Sequence, residues 1–259
     1  MPNQKDKARL FRSLHAGERP LLLFNVWDAG SAKVVADAGA DALATASWAV
    51  AASHGLADGE QVPLQAVLDN LTRIVAATDL PVSLDLESGY GRTAAAVGLT
   101  VERAIAAGAV GCNLEDSRPE DGALRDPAEQ AERLAEARRA AETSAIPLFI
   151  NARTDVFFAR PAEDHDASMV EDALRRAELY AKAGADGLFV PNLTDVRLIE
   201  TLARASPLPV NIMAGASAPA AARLAGIGVA RISHGPGPYL AAMRALAEAA
   251  RAALAPPPE

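Results

Sequence analysis

Asp85 and Glu87 stand one residue apart in the stretch SLDLESGYGRT, Ser83 to Thr93, at the end of an otherwise apolar run. Side chains at i and i+2 share one face of a strand, so this spacing predicts two carboxylates aimed at one place. Glu115 and Asp116 in NLEDS, Asp155 in NARTD and Asp58 in ASHGLADGE add further acids in comparable settings. Carboxylates that converge with no lysine among them repel one another and disturb each other's protonation unless a cation joins them. Oxygen-only donors suit Mg2+, with Mn2+ as the substitute ion, and magnesium keeps several waters beside one or two direct carboxylates. On this reading Asp85 holds the metal and Glu87 holds its water. The competing reading is a rim ion pair between Glu87 and Arg92 or Arg153. Arg153 itself has the planar fork that accepts two oxygens of a substrate carboxylate; its alternative is a structural salt bridge to Glu115 or Asp155.

Other chemistries lack their residues. A Schiff-base lysine is not available, because Lys5, Lys7, Lys33 and Lys182 all fall in helical sequence. His15, His54, His165 and His234 are scattered and form no zinc-type cluster; His54 and His234 read as hydrogen-bonded loop residues. Cys112 lies early in a strand and reads as a wall residue, since an apolar site raises a thiol's pKa. The glycines of MAGAS and SHGPGP suit a phosphate or simply a turn.

The elements that must position these residues alternate along the chain. Four apolar runs are entered through a proline: Pro20, Pro81, Pro147 and Pro209. Four more follow a glycine that closes a helical stretch: Gly39, Gly108, Gly184 and Gly228. The two kinds alternate strictly, giving eight short strands separated by helical sequence. Val67, Leu71, Ile74 and Val75 share a helix face before Pro81, as do Val170, Leu174, Ala177 and Ala181 before Gly184. Apolar strands joined by helices imply a buried parallel sheet, and eight units predict a closed (β/α)8 TIM barrel spanning residues 1–259 as a single domain. No Gly-x-Gly-x-x-Gly turn follows the first strand, which argues against a doubly wound sheet. Lys5 to Ala16 predicts an extra N-terminal helix, and APPPE reads as a frayed tail. In such a barrel the strand ends hold the site, and in order they read Asn25 and Asp28; Ala46, Ser47 and Trp48; Asp85 and Glu87; Glu115 and Asp116; Arg153 and Asp155; Pro191 and Asn192; Asn211; and His234.

Composition narrows the partners. Of 259 residues half are hydrophobic and only 4% aromatic, which favours closely packed helices, and the net charge is −8. An acidic chain without a Lys/Arg cluster predicts neither nucleic-acid nor anionic-membrane binding. No run approaches the roughly 18 apolar residues of a membrane span, the first residues form no apolar leader core, and a single cysteine permits no internal disulfide. A cytoplasmic enzyme is the expectation.

At these residues the sequence resembles the isocitrate lyase and phosphoenolpyruvate mutase superfamily. VAASHGLADGE, DLESGYG, GCNLEDS and INARTD match the family's motifs in order at four strand ends, and the likeness covers nearly the whole chain. The resemblance implies Asp85 as direct metal ligand, with Asp58, Glu87 and Glu115 holding metal-bound waters. It implies Arg153 on the substrate carboxylate, and the backbone around Ala46 and Ser47 on that carboxylate and the adjacent oxo oxygen; Asn211, from the strand-end series, is a further expected substrate contact. Asp58, Glu115 and Arg153 form the catalytic set. It also implies a homodimer or homotetramer, and many members exchange the eighth helix between subunits.

The departures are specific. The lyases' lid cysteine is missing from SRPEDGALRD, Ser117 to Asp126; Gly122 and Ala44 stand near the mutase's asparagine and tryptophan; and Glu87 replaces an aspartate. The shared chemistry is an α-oxo or hydroxy di- or tricarboxylate chelated to Mg2+ and cleaved at a carbon–carbon bond through a stabilised enolate. Ser117, Arg118 and Glu120 are lid candidates for the proton. The alternatives are a phosphonopyruvate-type phosphorus–carbon mutase or hydrolase, and a non-catalytic, metal-dependent oxo-acid binding protein.

Overall fold

Every one of the eight entries leads into a strand of the computed structural model, which describes residues 3–215 and 218–255. Ala216 and Ser217 of the MAGAS segment, and the tail from 256, lie outside the described residues. The order is α1 (Gln4–Leu14), β1 (Leu21–Leu23), α2 (Ala29–Asp37), β2 (Leu43–Ala44), α3 (Ser47–Ser53), α4 (Leu64–Ala76), β3 (Val82–Asp85), α5 (Ala94–Ala106) and β4 (Gly111–Glu115). It continues with α6 (Pro127–Thr143), β5 (Phe149–Arg153), α7 (Ala167–Lys182), β6 (Gly187–Val190), α8 (Val196–Ala205), β7 (Val210–Met213), α9 (Ala221–Gly226), β8 (Arg231–Ser233) and α10 (Gly237–Leu254). The strands pair in parallel in the order β1-β8-β7-β6-β5-β4-β3-β2. A parallel bridge between Val26 and Thr45 joins the chain just past β1 and β2, so the ring closes.

The helix-ending glycines do what the sequence predicts. Gly108 has φ +105° and Gly184 φ +96°, and a Cβ on them would come within 2.9 Å of Val75 and 2.8 Å of Arg138. Only glycine allows both that backbone and that approach. The predicted helix faces are buried: Val67, Leu68, Leu71 and Ile74 on α4, and Val170, Ala173 and Ala177 on α7. Each fully buried Leu, Ile or Val contributes about 1.5–3 kcal/mol, so these stripes fix the helices on the sheet.

The N-terminal helix closes the bottom of the barrel. Phe11 is fully buried with its ring edge-on to Phe149, and His15 stacks on Phe149 at 3.8 Å. Above that plug the barrel interior is polar. Asn151 donates to Asn113 at 2.9 Å and to Asn211 at 3.1 Å, and Arg231 reaches Asn113 at 3.3 Å. Burial pushes the Arg231 guanidinium down to about 9, against the pull of Asp85. Cys112 is fully buried, and burial pushes its thiol up to about 12, so it is a wall residue and not a nucleophile.

The last helix departs from a closed outer ring. In α10 only Pro238 is buried, and the helix makes only marginal contact with the other elements. Leu22, on the outer face of β1, and Phe24, just past its end, are 50% and 46% exposed. Among the described residues no helix is long and apolar enough to cross a membrane.

Candidate active site

The C-terminal mouth of the barrel opens into a cavity of about 630 Å³. Asp58, Asp85, Glu115 and Asp155 bring four acidic residues to its wall beside Arg153, and Arg118, whose guanidinium pairs with Glu129 at 3.3 Å, lines it as well. Trp48, Phe158, Phe189, Met213 and Pro236 supply apolar wall, and Asn25, Ser47, Asn113, Ser117 and Ser233 uncharged polar wall.

Asp85 ends β3. Its amide is held by the Thr45 hydroxyl at 2.9 Å, and its Oδ2 accepts from the Ser47 amide at 3.0 Å. Asn113, next to it across the parallel ladder, stands 3.5 Å from Oδ1. Ser47 and Asp58 line the same cavity wall. The Asp58 carboxyl is raised above its usual range by its enclosure and then by the charge of Asp85.

Register brings Glu115 on β4 opposite Arg153 on β5. Arg153 meets Glu115 at 2.8 Å through Nη1 and forks onto Asp155 at 2.6 and 3.0 Å through Nε and Nη2. Of the five N–H groups of a guanidinium, one on each terminal nitrogen is left over for a ligand. Phe158 and Phe189 flank its faces at 5.5 and 5.9 Å. Burial works against the Arg153 charge, but Glu115 and Asp155 outweigh it and hold the group protonated. Burial raises the Glu115 carboxyl, opposed by Arg153 and reinforced by Asp155 and Asp85.

Asp155 is placed from outside the cavity. Its amide donates to Asp116 at 2.9 Å, and the fully buried Asp116 is held by Tyr180 at 2.8 Å and Arg176 at 3.1 Å. The lid is a short turn with both ends fixed. Ser117 bridges to Leu124, Arg118 donates to the Ala123 carbonyl at 2.9 Å, and Asp126 caps α6. Ser117 Oγ lies 2.7 Å from Asp155 and 3.0 Å from Glu115, on the cavity wall. Glu120 is exposed and not on that wall.

Several expected residues stand elsewhere. Glu87 is not on the cavity wall. Its φ of +50° takes it out of the strand, so the shared-face argument fails at that residue. Its Oε2 accepts from the amides of Gly59 at 2.8 Å and Glu60 at 2.6 Å, and its Oε1 from the Tyr90 hydroxyl at 2.7 Å. It pairs with neither Arg92 nor Arg153. Burial pushes its carboxyl up to about 7, with Tyr90 and the Glu60 amide opposing. Asn211 lies below the cavity, 1% exposed, bonded to Asn151 and Ser233. Ala46 and Ser47 line the cavity, yet their amides are engaged, by Val26 and Asp85. Asp28 caps α2 in a capping box with Ser31. Asn113, absent from the sequence expectation, lines the cavity; it sits two residues before Glu115, a spacing that marks it as inward-facing.

The residues present fit a hydrated divalent ion. The anionic groups on the wall are carboxylates, and the charge of Asp85 raises both Asp58 and Glu115. Among the described residues no three acids, histidines or cysteines come close enough to hold one ion directly. Asp85, Asp58 and Glu115 are the residues that would hold such an ion.

The sequence matches the family model described as phosphoenolpyruvate phosphomutase over residues 11–254. A crystal structure from Burkholderia cenocepacia J2315, provisionally described as a phosphonomutase, is 56% identical, covers 97% of this chain and 100% of its own, and superposes with a TM-score of 0.94. An uncharacterised protein of Mycobacterium tuberculosis (strain H37Rv) is 37% identical over 93% of this chain and 88% of its own. The 2-methylisocitrate lyase of Escherichia coli K12 is 32% identical over 78% of this chain and 68% of its own.

Proposed function

Because the chain belongs to the phosphoenolpyruvate phosphomutase family within the isocitrate lyase/PEP mutase superfamily, whose members are Mg2+-dependent lyases, mutases and hydrolases, we propose that it cleaves a carbon–carbon bond in a small α-oxo or hydroxy di- or tricarboxylate. One observation carries this reading: Asp58, Asp85 and Glu115 line the same cavity as Arg153, whose ion pairs with Glu115 and Asp155 use three of its five N–H groups. The 32% identity to a 2-methylisocitrate lyase supports the same chemistry.

Asp85, Asp58 and Glu115 would hold a divalent cation, which when bound would supply Lewis-acid stabilisation of negative charge on the substrate. Arg153 binds and orients the carboxylate, and Phe158 and Phe189 keep its guanidinium in place. Asp155 holds the Arg153 fork, and Tyr180 and Arg176 hold Asp155 through Asp116. Ser117 Oγ keeps a proton between Glu115 and Asp155, in the part of the lid where the lyases carry a cysteine motif. The apolar wall excludes water from the carbon end of the substrate.

A phosphorus–carbon reaction is the second reading, favoured by the 56%-identical structure and disfavoured by Gly122 and Ala44. Incubation with Mg2+ and oxaloacetate, isocitrate, 2-methylisocitrate or phosphonopyruvate separates the two. Pyruvate, glyoxylate or CO2 from a carbon substrate supports the proposal; phosphoenolpyruvate or phosphate from phosphonopyruvate alone replaces it. Metal-dependent binding without turnover of any of them leaves a binding protein.

The uncovered outer face at Leu22 and Phe24, together with the projecting α10, supports a homodimer or homotetramer in which α10 of one subunit packs on the barrel of another. Light scattering is expected to give a multiple of 26.8 kDa. Replacing the exposed Leu240 and Leu246 by glutamate is expected to shift the protein to monomer. A monomeric wild type removes the proposal.

A further inference from the structure

Asp58 lies on the loop between α3 and α4, and that loop is tied to the turn after β3 from both sides. The Gly59 and Glu60 amides donate to Glu87 Oε2 at 2.8 and 2.6 Å. In return Glu60 Oε1 accepts from the Ser88 hydroxyl at 2.7 Å and the Tyr90 amide at 2.8 Å. Tyr90 closes the circuit with its hydroxyl on Glu87 Oε1 at 2.7 Å. Arg133, buried on α6, fixes the turn from behind by donating to the carbonyls of Ser88 at 2.7 Å and Gly91 at 2.9 Å.

Backbone strain concentrates in the same place. Among the described residues five non-glycine residues have positive φ, and three of them, Glu60, Glu87 and Tyr90, belong to this circuit. Strained backbone persists where surrounding contacts over-determine it, and it gathers where geometry matters for function. Gly91 adds close packing: a Cβ there would stand 2.8 Å from the Val97 amide. Glu87 has three short donors on its two oxygens and lies off the cavity wall, so its carboxylate is committed to the loop.

We propose that Glu87 and Glu60 are positioning residues, a reciprocal carboxylate–amide clasp that sets Asp58 over the cavity, and that Glu87 acts through this loop and not on metal-bound water. The inference rests on the reading of Asp58 as part of the metal-binding rim. The longer arm of glutamate at position 87 then has a use, because an aspartate in its place is one methylene short of the Gly59 and Glu60 amides.

Two substitutions separate reach from charge. Glu87→Gln keeps the length and one oxygen for the two amides, while its amide group can donate to the Tyr90 oxygen. Glu87→Asp keeps the charge and loses the reach. The readouts are amide hydrogen exchange at Gly59 and Glu60 and the affinity for Mn2+, both measured without substrate. The clasp predicts slow exchange and near wild-type affinity in Glu87→Gln, and fast exchange with affinity weakened by about tenfold or more in Glu87→Asp. A holder of metal-bound water predicts the reverse order, and that order overturns the proposal. Slow exchange in both variants, with Mn2+ binding intact, also overturns it. Should the wild type bind no Mn2+, the functional reading fails, and the clasp stands or falls on exchange alone: fast in Glu87→Asp and slow in Glu87→Gln upholds it, any other order overturns it. Glu60→Gln, which keeps Oε1 as an acceptor, is expected to retain the clasp, and Glu60→Ala to release it.

Discussion

Asp85→Ala is expected to lower kcat/KM by about a thousandfold or more, because the several kcal/mol that a Lewis acid contributes to the transition state depend on its seating. Mg2+ affinity should fall with it, since the other acids hold the ion only through water in this reading. The fold should survive. Asp85 lies at the open end of β3, and its removal leaves the Ser47 backbone amide and the Asn113 side-chain amide without this acceptor beside the cavity.

Metal-free Asp85→Ala should even show a flatter decline of stability with pH. The carboxyls of Asp58 and Glu115 are raised in the folded protein, in part by Asp85. Between the unfolded and folded pKa of such a group the native state binds more protons than the unfolded one, so stability is lost as pH rises through that window. Removing Asp85 narrows the window. Thermal unfolding in a chelator from acidic to neutral pH measures this, and calorimetric Mg2+ titration measures the binding. Wild-type turnover and Mg2+ uptake in this variant would sink the metal reading.

Arg153→Met should combine loss of activity with loss of stability. Glu115 and Asp155 are mostly buried, and Arg153 is the cation that both contact. Leaving buried charges unpaired costs about 3–5 kcal/mol, far more than an exposed ion pair is worth. Arg153→Lys is the informative companion. It restores a positive charge but cannot fork onto Asp155 and still point N–H groups at a substrate. Stability should recover in part, while KM for the oxo acid rises by about tenfold or more. Denaturant unfolding and steady-state kinetics on the two variants separate the structural part from the binding part. A lysine variant with wild-type KM removes Arg153 from the substrate.

The eight-unit alternation was legible because it is local. Proline at a strand entry and glycine at a helix exit act through their own backbone restrictions, and the apolar period of a helix is set by its neighbours three and four residues away. The same logic placed Asp85, Glu115 and Arg153 at strand ends, since parity along a strand decides which side chains face inward. Parity also marks Asn113, two residues from Glu115.

Tertiary structure alone decided the rest. Parity holds only while the chain stays extended, and Glu87 leaves it at φ +50°, captured by amides from a loop 27 and 28 residues away in sequence. Depth along the barrel axis separates Asn211, which is sealed among Asn151 and Ser233, from the acids at the mouth, and nothing in residue spacing encodes that depth. Asp28 went to a helix cap because Ser31 and the free amides of α2 were nearer than the cavity. The sequence by itself determined which residues could face the barrel axis. Which of them meet at one point depended on where each strand ends and which distant donor reaches a carboxylate first, and those are properties of the assembled barrel.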